Sequence, residues 1–219
     1  MKALQSRLDL ILERIENPRF LKNYGLGNEI GFWIFDYPAK HELAVRDYLK
    51  HLADKLGKRG YQFINVNIYE TIIEMLESRG LLERTFNREK QVGVDAIRNT
   101  LSGPLSQKKI AEFIAENIQP ETLDFVLLSG LGNAWPLVRG HELLSALQDV
   151  MGKTPLVLFY PGEYNGRDLH PFGMIESKNY YRAFKLVPED GKKINAGSIY
   201  FKFHGKPTSS RHGLRFLSN

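Results

Sequence analysis

The 219-residue chain contains no cysteine, which rules out disulfides and thiolate metal sites. It contains no Gly-x-x-x-x-Gly-Lys-[Ser/Thr], so the phosphate-cradling loop of the P-loop nucleotide hydrolases is missing. Neither His-x-x-x-His nor His-Glu-x-x-His occurs, which argues against a zinc site, and His170 stands alone. Ser129 lies in no Gly-x-Ser-x-Gly elbow. No apolar run approaches the roughly 20 residues a membrane span requires. The start, Met1 to Arg7, lacks the apolar stretch of a signal peptide, so a cytoplasmic protein without membrane contact is expected. No cofactor or metal is expected either.

What is present is a strand–helix rhythm. Leu4, Leu8, Ile11, Leu12 and Ile15 recur at helical spacing, and Asn17-Pro18 stops that helix, leaving a loop over residues 20–27. Strands are expected at residues 30–36, 61–67, 123–128 and 155–160, with a fifth at 179–187 and a short edge strand at 199–203. Helices are expected at 41–56, through Leu43, Val45, Tyr48, Leu49, Leu52 and Leu56, at 68–82 and at 140–150. Residues 83–119 break the rhythm and read as a helical insertion of two helices split at Ser102-Gly-Pro104. The strands are nearly all-apolar, which suits a sheet covered on both faces. The fold class is therefore α/β: a mainly parallel sheet with helices on both faces, a helical insertion in the middle and a basic C-terminal extension. Residues 1–187 form the single α/β domain and 188–219 the extension.

Charge is uneven. The formal net charge is +5, yet from Arg182 onward eight Lys/Arg face two acids, while the remainder holds 22 basic and 23 acidic residues. A solvated C-terminal segment accounts for this. A phosphate-contacting or partner-binding arm is the alternative.

Each candidate site carries an ordinary reading beside the functional one. Gly25-Leu-Gly-Asn-Glu-Ile-Gly31 is one residue too long for a dinucleotide fingerprint and precedes a strand, so it reads as a structural loop or a partner-binding one. Asp36, at a strand's carboxyl end, is a turn former or helix cap; the alternative is a magnesium ligand. Gly130 and Gly132 permit tight backbone geometry past the third strand, with amides free for an anion at the next helix. Trp135-Pro136 instead suggests a packed, shape-specific loop. Arg139 and His141 fall in the first turn of that helix, where a cation opposes the helix dipole unless an acid or anion compensates. His141 with Glu142 would make an acid/base pair, although no nucleophile accompanies it. Glu163, in the loop Pro161-Gly-Glu-Tyr164 after the fourth strand, is expected to pair with Arg139 and pin two loops; a metal ligand or general base is the functional alternative. Tyr180 and Arg182 would share one strand face and Tyr181 the other; stacking on bases competes there with plain packing.

Several of these segments carry a resemblance. The run Gly25 to Asp36, the block Gly132-x-x-x-Pro136-x-x-Arg139-x-His141, the segment Leu158-Phe-Tyr-Pro-Gly-Glu-Tyr164 and Asn179-Tyr-Tyr-Arg182 are similar to the BrxB family of bacteriophage-exclusion (BREX) systems, over about residues 4–187. The resemblance implies a cytoplasmic component of a multi-protein phage-defence system that marks host DNA by adenine methylation and blocks phage DNA replication. It implies action with the alkaline-phosphatase-like protein PglZ, and with the ATPase BrxC and the methyltransferase PglX as further candidates. Arg139, His141, Glu163 and Tyr181 fall in the motifs. The expected function is a non-catalytic assembly subunit that docks partners through loops at strand ends, organised by Gly130, Gly132, Trp135, Arg139, His141, Glu163, Tyr164, Tyr181 and Arg182. Two alternatives stand: a degenerate nucleotide-binding or nuclease-like enzyme using Asp36 and Glu163, and weak DNA contact through residues 188–219.

Overall fold

In the computed structural model, residues 2–22, 31–175 and 181–189 are described. The sheet is built on apolar runs. Strands β1 (Phe32–Tyr37), β2 (Phe63–Asn67), β3 (Phe125–Ser129) and β4 (Leu156–Tyr164) lie parallel, in the order β2-β3-β4-β1-β6, with the two-residue β6 (Phe184–Lys185) also parallel to β1. Every residue of β1 and of β3 is buried. This follows from helices covering both faces, as the unbroken apolar runs predict.

The two faces are distinct cores. On one, Trp33, Phe35 and Phe159 meet Leu4, Leu8 and Ile11 of α1 (Lys2–Ile15) and Val45, Leu49 and Leu52 of α3 (Glu42–Lys58). On the other, Ile34, Leu128 and Leu158 meet α4 (Ile68–Ser78), α7 (Gln107–Ile118) and α9 (Gly140–Gln148). Phe125 anchors the first core, ringed by Phe20, Tyr61 and Phe63 with centroids 5.5–5.7 Å away.

Several expectations need correction. Asn17-Pro18 does not open a loop. Asn17 caps the short α2 (Pro18–Leu21) by accepting the Arg19 amide, and Phe20 is buried in the core. Leu43 is 74% exposed because it lies on the side of α3 opposite Val45, Leu49 and Leu52. The insertion holds three helices, not two: α5 (Leu82–Val92), α6 (Val94–Leu101) and α7. The extra break falls at Gly93, whose φ of 79° ends one helix and begins the next. A four-residue helix, α8 (Leu131–Ala134), occupies the glycine loop after β3.

The largest correction concerns Pro161-Gly-Glu-Tyr164. It is no loop but the second half of β4, nine residues long. Beyond Tyr37, β1 has ended, and β4 continues by pairing antiparallel with β5 (Leu169–Pro171): Gly162 with Pro171, Glu163 with His170, Tyr164 with Leu169. The side chain of Asn165 accepts the amides of Arg167 (2.9 Å) and Asp168 (2.8 Å) and closes the hairpin turn. The fifth expected strand is reduced to β6; Asn179 and Tyr180 lie outside the described residues, as do residues 199–203, the start of the Gly25–Gly31 loop and nearly all of the basic extension. Among the described residues no helix is long and apolar enough to cross a membrane.

Candidate functional site

From β1 the chain leaves through α3 towards β2 at one edge; from β4 it leaves through the β5 hairpin towards β6 at the other. Both connections leave from the carboxyl end of the sheet, where Tyr37 of β1 lies beside Pro161 of β4. A cleft lies there, lined by Arg7, Asp36, Pro38, Glu163, Phe172 and Glu189 among others.

Its floor is a buried ion cluster. Asp36 is 2% exposed. Arg7 Nη2 reaches its Oδ1 at 2.7 Å, and Lys185 Nζ reaches Oδ2 at 2.9 Å. The Tyr164 amide donates to Oδ2 as well, at 3.0 Å. Arg7, only 8% exposed, also donates to the Asp36 carbonyl (2.8 Å) and the Val187 carbonyl (2.9 Å), and its guanidinium lies 4.7 Å from the Phe35 ring centroid. Both carboxylate oxygens are thus occupied by cations and an amide. Asp36 neither turns the chain nor caps a helix, and it cannot hold magnesium without giving up these partners. The cluster fastens α1, β1, the hairpin and the segment from β6 onward to one point. Among the described residues no group of three or more His, Asp or Glu is placed to hold a metal.

The glycine loop is fitted to its neighbours. Gly130 has φ 76°, and a Cβ there would stand 2.0 Å from Asn67 Oδ1, the oxygen that caps α4 by accepting the Tyr69 amide at 3.1 Å. A Cβ on Gly132 would stand 2.9 Å from Pro161. Trp135 packs edge-on against Phe172 with centroids 5.7 Å apart, so the loop and the hairpin end touch. Arg46 of α3 donates to Asn133 Oδ1 at 2.8 Å, which ties the loop to the other face. Ser129 donates to Asn65 Oδ1 at 3.1 Å.

The expected Arg139–Glu163 ion pair does not form. Arg139 is the N-cap residue of α9 rather than part of its first turn, and the carboxylate within reach is Glu142, 4.0 Å away and exposed like the arginine. That acid is the compensation a cation at this helix end requires. Glu163 is exposed on the hairpin and lines the cleft. His141 Nε2 lies 3.6 Å from Glu142.

Burial lowers the His141 pKa, outweighing Glu142, which raises it; Arg139 lowers it further. The folded protein therefore takes up this proton later than the unfolded chain as pH falls. Above the unfolded value of 6.5 both states are neutral and His141 contributes nothing to pH dependence; below it, stability is lost down to the folded pKa. Urea midpoints measured between about pH 7 and 5 should fall less steeply for His141→Gln than for the parent chain.

Tyr164 and Tyr181 are interior braces. The Tyr164 hydroxyl accepts the Ala183 amide at 2.9 Å and donates towards the Tyr181 carbonyl at 3.0 Å. The Tyr181 amide donates to the Arg167 carbonyl at 2.7 Å, and its hydroxyl accepts from Gln148 at 2.8 Å. Tyr181 is 3% exposed, and burial raises its pKa. Arg182 is exposed.

Around this frame sits an apolar rim: Trp135 (39% exposed), Met174 (82%) and Ile175 (36%). Sequence reasoning missed Met174, Ile175 and Phe172, and also Arg7 and Lys185. Arg7 did leave a signal, a charge inside the stripe Leu4, Leu8, Ile11 of α1.

The profile of the family described as BREX protein BrxB matches residues 64–186. A BREX protein BrxB of Escherichia coli O9:H4 (strain HS) is 57% identical over 189 residues, covering 86% of this chain and 94% of the relative. Another from Bacillus cereus (strain H3081.97) is 38% identical over 192 residues, covering 85% of this chain and 99% of the relative. The chain belongs to the BrxB family of BREX proteins. The matched region runs from the edge strand β2 through the insertion and the glycine loop to β6. No solved structure is significantly similar.

Proposed function

We propose that this BrxB-family chain is a non-catalytic assembly subunit of a BREX-type phage-defence complex. It docks a partner protein on the carboxyl end of its sheet. The observation that carries this is the apolar rim of Trp135, Phe172, Met174 and Ile175, large side chains standing on two segments that touch each other. Trp135 touches Phe172, and Met174 and Ile175 follow Phe172 closely in the chain; partner sites use clustered exposed apolar side chains of this kind as anchors. Gly130, Gly132, Tyr164 and Tyr181 shape and brace the platform from within; Arg139, His141, Glu163 and Arg182 form polar positions around it. The partner is the PglZ-like alkaline-phosphatase-fold protein, with the BREX ATPase BrxC and the methyltransferase PglX as further candidates.

The enzymatic alternative with Asp36 and Glu163 is disfavoured, because Asp36 spends its charge on Arg7 and Lys185. DNA contact through residues 188–219 concerns residues beyond those described, apart from the first two.

Co-purification with the phosphatase-like protein tests the proposal. Trp135→Ala combined with Met174→Glu should reduce recovery at least about tenfold, in keeping with the loss of two anchors of more than about 1 kcal/mol each, while circular dichroism stays unchanged. Undiminished recovery would refute docking at this rim.

A further inference from the structure

Helix α5 has no buried residue, unlike its neighbours α4 and α6. Leu82 packs against the core, and Thr85 and Glu89 are half-buried on the same side. The opposite side presents Arg84, Asn87, Arg88 and Gln91, spaced i, i+3, i+4, i+7 and all exposed. Glu83 borders this face beside Asn87, four residues on, and the exposed Lys90 lies on the same border, while Glu89 is on the half-buried side. Among the described residues none of the four side chains makes a hydrogen bond or ion pair. Two arginines, an asparagine and a glutamine are left wholly unengaged on one outward stripe.

We propose that this stripe is a binding site for double-stranded DNA, with α5 lying in the major groove. Charge complementarity selects a polyanion, since the outward side of α5 carries Arg84, Arg88 and Lys90 against Glu83 alone. The residue types select a duplex with readable base edges. Arginine pairs bidentately with guanine, and asparagine or glutamine with adenine, in a groove about 12 Å wide that admits one helix. An eleven-residue helix spans about 16 Å, enough to place all four side chains along a few base pairs. The deep, narrow major groove of duplex RNA would exclude it. The site lies on the helical insertion and does not involve the apolar rim, so it stands or falls apart from partner docking.

Fluorescence anisotropy of the full chain with a labelled duplex of about 25 base pairs, at about 50 and about 200 mM salt, decides the matter. The parent chain should bind and weaken with salt. Arg84→Ala with Arg88→Ala should bind about tenfold more weakly at the lower salt and lose discrimination between duplexes with and without guanine at the positions they read. Asn87→Ala with Gln91→Ala should weaken binding with the slope unchanged. All four substituted positions are solvent-exposed, and circular dichroism should confirm equal folding. Absence of binding by the full chain would overturn the proposal. So would equal binding by the double-arginine variant, which would put any DNA contact elsewhere, or tighter binding to single-stranded RNA.

Discussion

Asp36→Asn should destabilise the protein by about 3–5 kcal/mol, because it leaves the Arg7 guanidinium buried without a counter-charge. Arg7 has no escape: it is 8% exposed and pinned by the Asp36 and Val187 carbonyls. Lys185, with a side chain 24% exposed, can turn outward and loses less. For a chain of this size the cost corresponds to a melting temperature lower by roughly 10 °C. Adding Arg7→Met to Asp36→Asn removes the stranded charge, so the double variant should be more stable than Asp36→Asn alone. Urea unfolding of the three proteins checks this. A loss below about 0.5 kcal/mol for Asp36→Asn, within the range of an ordinary surface change, would contradict the role given to the cluster.

Gly162→Ala is the second severe change. A Cβ at Gly162 would stand 2.3 Å from the His170 carbonyl oxygen and 2.7 Å from the Tyr160 ring. The first of these is backbone of the paired strand β5, so β4 and β5 must part. The expected cost is about 3 kcal/mol, at the upper end for overpacking. It also carries Phe172 away from Trp135, so affinity for the proposed partner should fall with stability. Gly57→Ala is the matched control, since nothing lies within 4 Å of its Cβ and it sits inside α3. Alanine there should be neutral or stabilising by up to about 1 kcal/mol. Equal midpoints for Gly162→Ala and the parent would show that the hairpin tolerates what the geometry forbids.

The sheet and its helices were largely legible because they rest on local pattern. Phe32 to Phe35, Phe125 to Leu128 and Leu156 to Tyr160 are unbroken apolar runs, and Val45, Leu49, Leu52 and Leu56 keep a helical period. The hairpin was not legible, because Pro161 and Gly162 are strand breakers on local grounds. They extend β4 only because a three-residue strand beyond the turn pairs with them. The ion cluster was hidden for another reason: Asp36 lies 29 residues from Arg7 and 149 from Lys185. Sequence reasoning paired Arg139 with Glu163 because their loops are neighbours. The fold instead gives Arg139 the acid three residues on, at the helix end that needs it. Tyr181 falls in a family-like motif yet is interior, since its hydroxyl has Gln148 to meet.

Hydrogen exchange of the chain, free and with the phosphatase-like partner bound, tests the docking claim most directly. The account predicts added protection confined to residues 131–139 and 169–175, the glycine loop and the hairpin end. Protection that leaves those segments unchanged and appears instead on the outer faces of α1 or α7 would contradict it.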